Sequence, residues 1–243
     1  MIMPRWGLQS LQAVWYAAAI SPQSTANSIY SAVVGTAPTA IQSNPTGGLS
    51  LAQGQDAHGI YRVQIQGGRV DFFHNPLPAS PNVFPLFSDF DSAMNRFRAN
   101  LPKGSATIGS VDRIAMVVNT SEEQPSPEAA AGLILPILNI TLPFQDGREL
   151  IFQINRKRQF QSIAGIDMFR IMKWQSDSFS LVNIVAGTPQ IGSANVATLT
   201  VDVSSASPVT PRQFTPAEQD VMFQEIGDEV ERLCNNNTFA ALA

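Results

Sequence analysis

The chain has 243 residues, of which 44% are apolar and only 14% charged, with a formal net charge of −4. That length suits one large domain or two small ones packed together, and the apolar share is enough to fill a core. A single cysteine, Cys234, excludes a disulfide scaffold, and the absence of a basic bias argues against a general nucleic-acid binder.

Arg5 followed by Leu8 to Ile20 has the outline of a secretory leader, but Gln9, Ser10 and Gln12 interrupt its apolar run. Leu11 to Ala17, rich in Val, Trp and Tyr, therefore reads as a first strand. Ser21-Pro22 has the form of a helix start, and Gly35 follows the expected helix end near Val34. Residues 36–48 hold Pro38, Pro45, Gly47 and Gly48 without periodicity and read as a loop. Tyr61, Val63 and Ile65 then alternate with Arg62, Gln64 and Gln66, and Val70 and Phe72 alternate after Gly67-Gly68. Two alternating runs about Gly-Gly predict a hairpin with a primed turn, because glycine reaches positive φ at both turn positions. Pro76, Pro78, Pro81 and Pro85 predict an extended connector. Ser88 caps a second helix with Phe90, Ala93, Met94, Phe97 and Leu101 on one stripe, and Pro102 and Gly104 are expected to stop it.

The second half begins with a buried strand over Val111 to Val118. Ser126-Pro127-Glu128 caps a helix that Pro136 ends or kinks. Glu149 to Phe160 reads as a long strand and Ile166 to Gln175 as its partner, followed by strands at Phe179 to Val185 and Val196 to Ser204. Thr215-Pro216-Ala217-Glu218 is a capping box ahead of a last helix, with Phe223, Ile226, Val230 and Leu233 on its apolar stripe.

This order predicts an α+β fold of antiparallel sheets with amphipathic helices packed on one face, and a duplicated strand-helix-hairpin-helix unit. The halves are 1–104 and 105–243, expected to form one compact unit. The same order resembles a sporadically distributed bacterial family of unknown function and about this length. The residues that carry the resemblance are Gly59-Ile60-Tyr61-Arg62-Val63-Gln64-Ile65, Phe87-Ser88-Asp89-Phe90-Asp91 and Val111 to Asn119, with Leu199-Thr200-Val201-Asp202-Val203 and the closing helix from Thr215. Met116-Val117-Val118-Asn119-Thr120 stands where that family carries a more basic run. The resemblance implies a fold and a bacterial, cytoplasmic setting, and it carries no catalytic residue across.

Several chemistries lack their residues. The two histidines, His58 and His74, lie far from Cys234 and from any carboxylate cluster in sequence, so no metal site is expected. No glycine precedes a lysine, so there is no phosphate loop, and no Gly-x-Ser-x-Gly occurs. No cofactor and no catalytic residue are expected, and the balance leans away from an enzyme. No stretch approaches the ~18–20 apolar residues of a membrane span, so no membrane partner is expected.

The basic run is the one candidate ligand site: Arg156, Lys157 and Arg158, with Arg170 and Lys173 on the partner strand. Alternation puts Arg156 and Arg158 on the face of Phe152 and Ile154, with Lys157 opposite. Such a patch would bind an anion or nucleic acid. Against it stands the last helix, where Glu218, Asp220, Glu225, Asp228, Glu229 and Glu231 face Arg232 alone and would neutralise the hairpin internally or across an interface. The leading expectation is a non-enzymatic binding or assembly protein acting through protein–protein contacts, as a homo-oligomer or with a protein partner. A nucleic-acid or anionic-ligand binder using the basic hairpin is second. An enzyme with an unfamiliar site, a deep pocket gathering His58 or His74 with carboxylates, is third, and a viral or particle shell protein, suggested by low charge and many Ser, Thr, Asn, Gln and Pro residues, is fourth.

Overall fold

The computed structural model describes residues 5–17, 25–44, 48–78, 80, 83–143, 146–185, 188–206 and 212–243. Ser21-Pro22 lies outside them. The chain runs β1 (Gly7–Tyr16), α1 (Ala26–Val34), β2 (Ala40–Asn44), β3 (Leu49–Asp56), β4 (Gly59–Gln66), β5 (Arg69–Asn75) and α2 (Phe90–Ile108). It continues through β6 (Arg113–Gln124), α3 (Pro127–Ile137), β7 (Ile151–Gln159), β8 (Asp167–Val185), β9 (Thr188–Ser205) and α4 (Pro216–Asn236). The strands form one antiparallel sheet in the order β2-β3-β4-β5-β1-β6-β9-β8-β7. The fold is α+β, and the two halves share a pattern of connectivity although the first has one strand more. In each half the last strand of a meander returns to pair with the first strand, β5 with β1 and β9 with β6, and β1 and β6 meet at the centre. The sheet is therefore continuous across the two halves, and α2 runs through the 104/105 boundary.

Local chemistry explains most boundaries. Thr215 accepts from the Glu218 amide while the Glu218 carboxylate accepts from the Thr215 amide, which closes the capping box of α4. Gly67 and Gly68 have φ of 56° and 77°, the positive pair that a two-residue primed turn requires. Other boundaries differ from the sequence reading. The cap of α2 is Asp89, whose side chain accepts from the Ser92 amide, not Ser88. Pro102 and Gly104 do not stop α2. The missing proline hydrogen bond is offset by burying Leu101, Gly104, Ser105 and Ile108 on its last turns. Residues 36–48 are not all loop, because β2 and β3 add a second hairpin to β4. That strand pair was illegible because every described residue of β2 is exposed and β3 buries only Ala52 and Gly54.

The register sorts side chains onto two faces. Across one face runs Tyr61, His74, Leu11, Val118, Val201, Met172 and Ile154, and beside it Val63, Phe72, Ala13, Met116, Val203, Arg170 and Arg156. α2 and α4 meet this face. Trp15 packs edge-on to Phe223 of α4 at 5.3 Å, and Phe72 stacks on Phe97 of α2 at 5.3 Å. Trp15 is fully buried, so Trp15→Ala would cost about 3–5 kcal/mol. Gly227 lets α2 approach α4: a side chain there would meet the Arg98 guanidinium at 2.7 Å, and Arg98 instead lies across α4 to pair with Asp228 and Glu231.

β8 and β9 extend past their neighbours. β7 stops pairing at Gln175 and β6 at Asn195, but β8 and β9 pair with each other out to Val185 and Thr188. A two-stranded ribbon is marginal on its own. At its base Phe179 meets Phe84 at 5.4 Å, and Phe84 packs with Ala194 and Val196. Residues 178–201 carry no charge.

Candidate functional site

The basic hairpin β7–β8 does not form one patch. Arg170 is buried on the core face, where it donates to the Glu229 carboxylate of α4 at 3.2 Å and to the Leu242 carbonyl at 3.1 Å. Glu229 also accepts from Arg232 at 2.7 Å and lies 3.6 Å from Arg158. Burial opposes its ionisation, but the hydrogen bonds from Arg232 and Arg170 and the charge of Arg158 outweigh burial and hold the carboxyl below its usual range. Glu225, one turn earlier, accepts from the Gln161 and Ser162 amides at 2.9–3.0 Å and from Arg158 at 3.3 Å, fixing the β7–β8 turn to α4. Lys157 pairs with Asp167 at 2.9 Å on the opposite face. Arg156 is exposed beside Arg170, and half-buried Lys173 lies on the other face beside Thr200 and Gln153. The acidic helix pairs with Arg158 and Arg170 within the chain, and the five basic residues divide between two faces. β7 is also the sheet's edge, where arginine and lysine discourage pairing with another strand.

The other face of the sheet gathers a different set of residues. One row reads Arg62, Phe73, Gln12, Val117, Asp202, Ile171 and Asn155. Arg62 lies 4.2 Å over the Phe73 ring, and Arg69 and Arg113 flank Tyr16 at 5.4 and 5.0 Å. Asp71 is held by Arg69 at 2.7 Å and by Gln12 at 2.7 Å. Arg113 donates to Ser204 at 2.9 Å. Gln12, Tyr16, Arg62, Gln64, Gln66, Arg69, Asp71 and Phe73 line a shallow hollow of about 580 Å³. Burial raises the Asp202 carboxyl above its usual range against the charges of Arg113 and Arg69. Among the described residues three polar atoms here have no hydrogen-bond partner: Arg62 Nε, Arg113 Nε and Asp202 Oδ1. All three atoms are buried, so they are unsatisfied within the chain rather than displayed to a partner. Sequence reading missed this set because it is spread over β1, β4, β5, β6 and β9. Its one trace was the polar alternation of Arg62, Gln64 and Gln66.

The histidines do not converge. His58 is exposed, and His74 is fully buried, stacked on Tyr61 at 4.4 Å with its Nε2 3.2 Å from the His58 carbonyl. Burial pushes the His74 imidazole down to about 4, so it is neutral and its Nε2–H donates to that carbonyl. The Cys234 thiol is buried and pushed up to about 12, which makes it a packing group. Among the described residues no cluster of three or more His, Cys, Asp or Glu side chains is arranged to hold a metal ion, and no helix is long and apolar enough to cross a membrane. No family model, curated protein or solved structure matches this chain.

Proposed function

We propose that this chain is a non-enzymatic binding or assembly protein that acts through protein–protein contacts on the polar face of its sheet, with a second copy of the chain as its first partner. The observation that carries the reading is the group of arginines held on aromatic rings beside the Asp71 and Asp202 carboxylates. Arginine and aromatic residues are enriched at protein interfaces. The group carries both signs, Arg62, Arg69 and Arg113 against Asp71 and Asp202, so the same surface on a second copy offers matching charges about a two-fold axis. The uncharged β8–β9 ribbon adds area that a partner would cover. A bacterial, cytoplasmic setting belongs to the same proposal and rests on the family resemblance and the single thiol. The test is the mass in solution at low and high salt over a wide concentration range. A dimer or larger assembly that weakens with salt supports the reading, and a monomer throughout overturns self-association.

The second reading, an anionic or nucleic-acid ligand on the basic hairpin, would rest on Arg156 and Lys173, since Lys157, Arg158 and Arg170 are engaged within the chain. Binding of an oligonucleotide that is lost on Arg156→Ala and Lys173→Ala would favour it.

A further inference from the structure

A second site lies away from the polar face, between α3 and the start of the edge strand β7. A cavity of about 660 Å³ opens there, walled by Ala131, Leu135, Ile140, Leu142, Leu150 and Ile151. Its polar side chains include Glu128, Arg148 and Glu149, together with Thr141. The volume is in the range of small-molecule sites, and a mostly apolar wall with a few charged groups is their usual chemistry.

Three observations indicate a site rather than a packing fault. Gly132 sits in the middle of α3 and lines the cavity, and nothing lies within 4 Å of where its side chain would be. A glycine inside a helix costs about 1 kcal/mol relative to alanine, and here no neighbour requires it. What it does is keep the wall low. Glu149, next to Arg148, is held at φ 54°, a left-handed conformation that non-glycine residues seldom adopt and that recurs at ligand clamps. Ile151 is 65% exposed beside the cavity, an apolar side chain that an occupant would cover.

The charges choose the occupant. Arg148 is engaged by Glu128 at 2.5 Å, so the two cancel, and Glu149 leaves the rim with one net negative charge. We propose that this cavity binds an amphipathic amine, with its apolar body between α3 and Leu150 and its cationic nitrogen at Glu149. The site is independent of the sheet-face reading, and either can fail without the other.

Calorimetric titration of the full chain with decylamine, decanol and decanoate, each below its micelle concentration, tests the proposal. Decylamine is expected to bind one to one, decanol at least tenfold more weakly, and decanoate weakest. Gly132→Phe should fill the cavity and abolish binding, while Gly132→Ala, which leaves most of the space, should bind and melt higher than the parent. Glu149→Gln should bring decylamine down to the affinity of decanol, a readout that does not depend on the Phe variant folding. No binding, equal binding of decanoate and decylamine, or binding that survives a folded Gly132→Phe would overturn the proposal.

Discussion

Two groups of arginines sit on opposite faces of one sheet and do different work. Arg158, Arg170 and Arg232 converge on Glu229 beneath α4, with Arg170 and Glu229 both buried. Arg62, Arg69 and Arg113 lie on the far face against Phe73 and Tyr16, with Arg62 Nε and Arg113 Nε buried and without a partner. Arg158 and Arg170 lie on the two strands of one basic hairpin and look like a binding patch in sequence. The second group is spread over more than fifty residues and looks like nothing. A run of charge in sequence reports a local concentration, whereas a binding surface depends on which charges remain unpaired after the helices dock.

Substitutions separate the two groups by size of effect. Glu229→Ala should be the most damaging, about 3–5 kcal/mol in urea unfolding, because it strands the buried Arg170 charge. A loss below about 1 kcal/mol would mean that water already reaches the cluster, and the contrast would collapse. Next is the pH dependence of the first half, whose core holds His74 neutral. The folded pKa of about 4 lies below the ordinary histidine value of about 6.5, so the unfolded chain takes up the proton first as pH falls. Stability should be constant above about pH 6.5 and fall by about 3 kcal/mol towards pH 4. That slope should flatten in His74→Phe when melts are compared across this range. Glu225→Ala should cost about 1–3 kcal/mol by freeing the Gln161 and Ser162 amides and the Arg158 charge, with faster amide exchange at the β7–β8 turn. Arg62→Ala should be smallest, about 0.5–1 kcal/mol, the worth of one half-buried guanidinium stacked on a ring.

The same contrast explains what was legible in the sequence. Capping boxes, the Gly67-Gly68 turn and the alternation of Tyr61, Val63 and Ile65 are local codes, so the helices from Ser126 and Thr215 and the β4–β5 hairpin could be read directly. β2 and β3 could not, because their ladder is made by backbone groups and their exposed side chains carry no period. Nor could the continuation of α2 past Pro102, which depends on packing against elements far away in the chain. The opposition of an acidic last helix and a basic hairpin was readable as charge, and the structure adds that it closes within one chain at Glu225 and Glu229. The polar face was beyond reach because it is assembled by register across five strands.

The most direct test of the central claim is the mass in solution of the Tyr16→Ala, Arg113→Ala double variant beside the parent at equal concentration. The variant removes the ring and one of the two guanidiniums that flank it, and leaves the Glu229 cluster intact. The account predicts an oligomeric parent and a folded, monomeric variant. A variant that keeps the parent's mass, or a parent that is monomeric at every concentration, would contradict assembly through the polar face.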